Sequence, residues 1–214
     1  MNLTRYSGTK EYALKKLREH YKKLSMLGKL SHKSPFYILI STVLSQRNRD
    51  SVTLKVVKKF FSKYRSIRDV ANADLKQMST IIKQSGFYKT KARRIRDIAR
   101  ILIRDYKGKI PQNISDLLSL PGVGRKTANC VLVYAYRKPA IPVDTHVHRI
   151  SNRLGWVRTK TPEETEHALK SIIKKDFWSI INEVFVIHGQ NICLPRRPRC
   201  NICPIAEYCK KVGV

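Results

Sequence analysis

A glycine turn between two stretches of helical periodicity constrains this chain most. Leu120-Pro121-Gly122-Val123-Gly124 separates Ile114, Leu117 and Leu118 from Ala128, Val131, Leu132 and Ala135. Apolar residues three and four positions apart form one stripe along a helix. A link this short makes the two helices double back as a hairpin. Gly122 and Gly124 permit backbone angles that residues with a side chain avoid, and they clear side chains from the turn. The second helix starts there, with unpaired N–H groups and the positive end of its dipole. The arrangement suits a phosphate; a plain helix–turn–helix junction is the other reading of the same residues.

Two further residues give the turn a chemical use. Lys126 lies in the first turn of the second helix, beside Arg125. The dipole and the like-charged neighbour both disfavour a cation there, so the amine is expected to release its proton more readily than a solvent-facing lysine. An amine nucleophile requires that. Eighteen residues on, Val143-Asp144-Thr145-His146 follows Pro142 and opens another helix. Asp144 is an acid in a strongly basic neighbourhood.

The basic surplus runs through the whole chain. Lys and Arg total 44 against 15 Asp and Glu, a formal charge of +29 over 214 residues. That excess predicts a polyanionic partner, because each phosphate neutralised releases counterions. An anionic membrane surface or an RNA contact are the competing readings. No apolar run approaches the roughly 18 residues of a membrane span. The N-terminal MNLTRYSGTKEYALKK lacks the apolar core of a secretory signal, so an intracellular protein is expected. The 42% hydrophobic content suffices for one large domain or two compact lobes.

The remaining periodicity is helical throughout, and the chain reads as all-α. Residues 9–27 form an amphipathic helix with Tyr12, Ala13, Leu17, His20, Tyr21 and Leu24 on its apolar face, stopped by Gly28. Ser34-Pro35 starts a second helix, and Phe36 to Leu44, apolar nearly all round, marks it as buried. The polar Ser45-Gln46-Arg47-Asn48-Arg49-Asp50 follows. Asn48 or Asp50 is expected to cap the next helix, with Val52, Leu54, Val56, Val57, Phe60 and Phe61 as its core residues. Residues 73–84 make a short helix ended by Gly86. Phe87 and Tyr88 then read as core aromatics sooner than as wedges between bases. Lys89, Lys91, Arg93, Arg94 and Arg96 lead a long helix to Tyr106, whose buried stripe is Ile95, Ile98, Ala99 and Leu102. After Asp144, Val147, Ile150 and Leu154 point inward, with His148, Arg149 and Arg153 elsewhere. Two more helices are expected at 162–174 and 178–188, the first announced by Thr161-Pro162-Glu163-Glu164.

Four of the five cysteines crowd the C-terminal end as Cys193-x6-Cys200-x2-Cys203-x5-Cys209, while Cys130 reads as core. Four thiolates suit a tetrahedral zinc and equally an iron–sulfur cluster; spacing alone leaves both open. Between the first two lie Arg196, Arg197 and Arg199, suited to clamping phosphates.

LPGVGRKTAN followed by VDTH resembles the helix-hairpin-helix, Gly/Pro-rich loop and Asp superfamily of base-excision DNA glycosylases. Lys126 and the cysteine spacing point to its endonuclease III branch. The likeness runs from about Phe36 to Cys209. It implies two helical lobes around a DNA-binding cleft. One is a six-helix barrel at 28–138; the other is discontinuous, 1–27 with 139–214, and carries a [4Fe–4S] cluster on Cys193, Cys200, Cys203 and Cys209. By the same resemblance Lys126 attacks C1′ of a flipped-out damaged nucleotide, and a Schiff base and β-elimination follow. Asp144 would stabilise charge on the sugar. Gln46, Arg47 and Phe87 are expected in the base stack, and Gly122, Gly124, Arg125, Thr145, His146, Arg196, Arg197 and Arg199 along the DNA. The expected partner is duplex DNA with a damaged base or abasic site, bound by a monomer in the cytoplasm or nucleoid.

Three positions depart from the family pattern: Arg47 where a glutamine is common, Phe87 where an aliphatic wedge is usual, and Leu118 where bacterial members often carry a glutamate. Two alternatives stand beside this reading. One is a monofunctional mismatch or adenine glycosylase of the same superfamily, whose members generally lack a lysine at the position of Lys126. The other is a non-catalytic DNA-binding module with a zinc-bound tail.

Overall fold

Side-chain caps start six of the twelve α-helices among the described residues. In the computed structural model, which describes residues 9–22 and 25–214, Ser34 accepts the amide of Tyr37 and Pro35 takes the first position of its helix. Asp74, Asn113, Asp144 and Thr161 cap four others in the same way. Each such cap satisfies an amide that the helix leaves unpaired, and contributes about 1 kcal/mol. Among the described residues there is no strand.

The chain divides into two units, Lys29–Tyr136 and a discontinuous one that joins the N-terminal stretch up to Gly28 with Arg137–Val214. In the first unit, α3 (Pro35–Ser45), α4 (Asp50–Lys63), α5 (Ile67–Ala71), α6 (Leu75–Ile81), α7 (Tyr88–Tyr106), α8 (Ile114–Leu118) and α9 (Arg125–Tyr136) follow one another. Helix α3 packs on α4, α7 and α9. Its Ile38, Leu39, Ile40, Val43 and Leu44 are fully buried. Burying each such side chain contributes about 1.5–3 kcal/mol, so this apolar helix is the centre of the unit. The stripe Ile95, Ile98, Ala99 and Leu102 of α7 is fully buried as expected.

The second unit holds α1 (Thr9–His20), α10 (Thr145–Arg153), α11 (Pro162–Ile172), α12 (Trp178–Asn191) and short 3₁₀ turns, two of them at Cys200–Ile202 and Ala206–Tyr208. Helix α12 packs on α1 and α10. The core joins Leu14 and Leu17 to Val147, Ile150, Phe185 and Ile205.

Several expectations are corrected. The first helix ends at His20, and a separate α2 (Met26–Leu30) contains Gly28. Gly28 is therefore no stop signal: a Cβ there would strike the Glu183 carboxylate, which accepts the Ser25 hydroxyl at 2.5 Å. Tyr12 and His20 are exposed, whereas Leu14 is fully buried; Leu24 and residues 1–8 lie outside the described residues. In α4 the buried stripe is Thr53, Val56, Val57 and Phe60, spaced i, i+3, i+4 and i+7. Leu54 falls one position off that stripe and is exposed. Neither Asn48 nor Asp50 caps α4; Arg49 stands at its N-cap without a side-chain bond. Helix α5, built on a Ser66–Asp69 capping box, is an addition to the sequence reading. Arg153, expected away from the core, and Lys91, read only as one of a basic run, are buried at 9% and 3% exposure.

Candidate active site and cysteine pocket

The hairpin turn forms between α8 and α9. Gly122 has φ +76°, a left-handed conformation, and a Cβ on it would meet the Arg94 side chain at 2.5 Å. Gly124 differs. Its φ lies outside the left-handed region and a Cβ would meet nothing within 4 Å. The unusual backbone angle thus belongs to Gly122 alone, while Gly124 keeps the approach to the start of α9 open. The Ala128 amide donates to the Gly124 carbonyl at 2.9 Å, which makes Gly124 the N-cap of that helix. Arg125 and Lys126, both half-buried, form its first turn.

The polar loop after α3 reaches this turn. Gln46 Nε2 donates to the Gly122 carbonyl at 3.0 Å and to Thr127 Oγ1 at 3.2 Å. Its neighbour Arg47 is exposed, with φ +54°. Phe87, immediately before α7, is likewise left-handed at φ +58° and 62% exposed. Its assignment to the core is therefore corrected: the chain turns into α7 at this residue and leaves the ring outside. The Arg47 guanidinium lies 5.2 Å from the centre of the Phe87 ring. Such an exposed cation–π contact contributes about 0.5–1 kcal/mol. Two of the three departures from the family pattern thus form one pair.

Asp144 belongs to the other unit. It is the N-cap of α10, and its Oδ1 accepts the amides of His146 and Val147, both at 2.9 Å. Both bonds go to one oxygen, so Oδ2 lies outside the cap. Thr145 is exposed and His146 half-buried. Arg149 Nη2 donates to His146 Nδ1 at 3.1 Å and to the Cys193 carbonyl at 2.9 Å. Gly189 admits the His146 ring, which any Cβ there would hit.

The four C-terminal cysteines line one pocket with Ile150, Leu154, Ile192 and Ile205. They stand around its wall; among the described residues no three His, Cys, Asp or Glu side chains gather about a point suited to a single metal ion. Burial raises the thiols of Cys203 and Cys209 above their ordinary value, so thiolates here require adjacent positive charge, which iron supplies. Donors already face the sulfurs. Arg153 Nη1 lies 3.5 Å from Cys193 Sγ, and the Lys211 amide 3.3 Å from Cys209 Sγ. His188 is pushed down to about 4, chiefly by burial, and so is neutral. Burial also pushes Tyr21 up to about 12, so its hydroxyl keeps its proton, and it shares a hydrogen bond with His188 Nδ1 at 2.9 Å. His188 Nε2 lies 3.7 Å from Cys203 Sγ. An all-cysteine donor set in an apolar wall, with hydrogen bonds aimed at the sulfurs, fits an iron–sulfur cluster.

Arg153 also donates to the carbonyls of Leu194 at 2.6 Å and Pro195 at 2.8 Å. It holds the cysteine loop from within, while Arg196, Arg197 and Arg199 are exposed. Sequence reasoning missed Lys91, Arg153 and His188 as inward-facing. The signal was present for Lys91, which continues the Ile95 and Ile98 stripe one turn toward the N-terminus.

Residues 40–175 match the HhH-GPD superfamily base excision DNA repair proteins, and residues 193–209 the iron–sulfur binding domain of endonuclease III. The chain is 53% identical to endonuclease III of Thermotoga maritima over 82% of its own length and 83% of that protein. Among solved structures it is similar to a trapped endonuclease III–DNA covalent intermediate, with TM-score 0.87, 37% identity and 96% of each chain covered. A thermostable thymine-DNA glycosylase is also similar, with TM-score 0.83, 26% identity and 98% of each chain covered.

Proposed function

The chain belongs to the HhH-GPD superfamily of base excision DNA repair proteins, and on that premise we propose that Lys126 and Asp144 carry its chemistry. The protein is an endonuclease III-type DNA glycosylase with abasic-site lyase activity. It binds DNA and holds a [4Fe–4S] cluster. Among the described residues no helix is long and apolar enough to cross a membrane. The substrate is duplex DNA carrying an oxidised pyrimidine or an abasic site, met by a single chain wherever the cell keeps its DNA.

In the proposed sequence Lys126 Nζ attacks C1′ of the flipped nucleotide. The N-glycosidic bond breaks, and the base leaves with the electron pair and takes up a proton. Loss of the amine proton and opening of the sugar ring give a protonated Schiff base. Removal of a C2′ proton then expels the 3′ phosphate by β-elimination, and water frees Lys126. Asp144 lowers the energy of the positive charge developing on the sugar and relays protons, with Oδ2 outside its capping bonds. The cysteines bind the cluster, which braces the loop of Arg196, Arg197 and Arg199 against DNA phosphates. Gln46, Arg47 and Phe87 fill the gap left by the flipped base.

The observation that carries this reading is Lys126 in the first turn of α9, directly behind the Gly122–Gly124 turn. Borohydride reduction of the Schiff base tests it. Wild type should become covalently joined to abasic duplex, and Lys126→Ala should not. Lys91 offers a control: its amine is drawn down to about 8 by burial, yet it is enclosed and should never be trapped. An adduct in Lys126→Ala would refute the assigned nucleophile. The likeness to a thymine-DNA glycosylase sustains a second reading; thymine released from a G·T mismatch without a nick would favour it.

A further inference from the structure

Lys91 takes no part in the steps above, yet the chain buries it almost completely, at 3% exposure. Its ammonium has three protons and three acceptors: the carbonyls of Leu44 at 3.0 Å and Gln46 at 2.6 Å, and Ser85 Oγ at 2.8 Å. The knot closes around it. Asn48 Nδ2 donates to Ser85 Oγ at 2.7 Å and to the Leu44 carbonyl at 2.8 Å. The Gly86 amide donates to Asn48 Oδ1 at 2.9 Å, and the Ser85 hydroxyl points its proton at the Leu44 carbonyl, 3.4 Å away.

None of these partners is a carboxylate. Burying a cation without a counter-charge is unfavourable, and only its hydrogen bonds and the negative end of the α3 dipole offset it. Any polar group could satisfy the end of a helix at lower cost. What this cation gains is position, because it holds the carbonyls of Leu44 and Gln46 on one side and the Ser85 hydroxyl of a second loop on the other. Gln46-Arg47 and Ser85-Gly86-Phe87 end in Arg47 and Phe87, both exposed, both left-handed and stacked on each other. A left-handed conformation costs a residue with a side chain about 1–2 kcal/mol, so two neighbouring loops held that way require a fixed anchor.

We propose that Lys91 is a positioning residue that locks the Gln46–Arg47 and Ser85–Phe87 loops into one rigid double wedge, so that Arg47 and Phe87 enter the base stack together. The inference rests on the base-flipping reading above. Through the Gln46 side chain the lock extends to Gly122 and Thr127 in the hairpin. Burial lowers the Lys91 amine to about 8, so at neutral pH it keeps the third proton that the knot uses.

A double-mutant cycle on the full-length protein tests this. Affinity is measured by fluorescence anisotropy at fixed salt, on duplex DNA containing a tetrahydrofuran abasic analogue with 2-aminopurine opposite it. Lys91→Met should weaken binding about ten-fold and remove the 2-aminopurine response. In an Arg47→Ala/Phe87→Ala background it should weaken binding less than about two-fold, since coupled residues are not additive. An equal loss in both backgrounds overturns the proposal. Should circular dichroism show Lys91→Met unfolded, Asn48→Ala and Ser85→Ala, which remove other members of the knot, enter the same cycle with the same outcomes. Wild type separately reports on the underlying reading. If it neither prefers the abasic analogue over intact duplex nor gives a borohydride adduct, the base-flipping reading fails and this inference with it. If it does both and the losses are additive, only the role of Lys91 fails.

Discussion

Replacing the two hairpin glycines one at a time separates stability from DNA binding. Gly122 sits at φ +76°, and an added Cβ meets Arg94 Cδ at 2.5 Å. The left-handed conformation alone costs an alanine about 1–2 kcal/mol. Displacing Arg94 adds to that, because the obstructing atom is midway along the side chain. Gly122→Ala should therefore destabilise by about 2 kcal/mol, and for a chain of this size each kcal/mol lowers Tm by about 2–4 °C. Gly124 is the N-cap of α9, with open space where its Cβ would lie. Alanine is a poorer N-cap than glycine, but it also narrows the unfolded ensemble, and the two effects nearly cancel at about 0.5 kcal/mol each. Its methyl group would nevertheless stand where a phosphate must approach the first turn of α9. Differential scanning fluorimetry should show Gly122→Ala melting about 4–8 °C below wild type, with Gly124→Ala close to wild type. Anisotropy titration on abasic duplex should show Gly124→Ala weakened about ten-fold, or 1.4 kcal/mol. Equal melting temperatures for the two variants would refute the backbone argument. Unchanged DNA affinity in Gly124→Ala would refute the phosphate seat.

Other perturbations follow from the same geometry. Asp144 both caps α10 and serves the proposed chemistry, so Asp144→Asn should keep the cap and the melting temperature yet lose about 100-fold or more in single-turnover cleavage. Asp144→Ala should lose activity and about 1 kcal/mol of stability as well; full activity in the asparagine variant would remove Asp144 from the mechanism. Lys91 predicts a pH dependence, because its folded pKa of about 8 lies below the unfolded 10.5. Between those values the unfolded chain holds a proton that the folded chain has released, so the stability of wild type relative to Lys91→Met should rise with pH across that window. Chemical denaturation at pH 7.5, 9 and 10.5 (roughly spanning the window) measures the slope, and a fall would contradict the assigned burial. Cys203→Ala should lose bound iron and the visible band near roughly 410 nm; wild type that purifies with one zinc and no iron would contradict the cluster.

The elements of this protein were largely legible in its sequence, because their causes are local. Ser34-Pro35 and Thr161-Pro162 begin helices as cap chemistry requires, and the i, i+3, i+4, i+7 stripe of α7 is buried where its spacing places it. Apolar runs and cysteine spacing depend on neighbours a few residues away. The sequence even held the hairpin, since Gly122 is bound to its turn by backbone sterics.

Tertiary structure decided which polar side chains turn inward and what they hold there. Lys91 read as one more member of a basic run until three acceptors from α3, its following loop and Ser85 closed around it. Arg153 became the internal brace of the cysteine loop, and Phe87 left the core to stack with Arg47. Apart from the Lys91–Ser85 bond, residues 40 to 47 positions apart in the chain make these contacts. Local periodicity sets a helix and its apolar face, but whether a charged group at the edge of that face is desolvated depends on which carbonyls the rest of the fold brings to it.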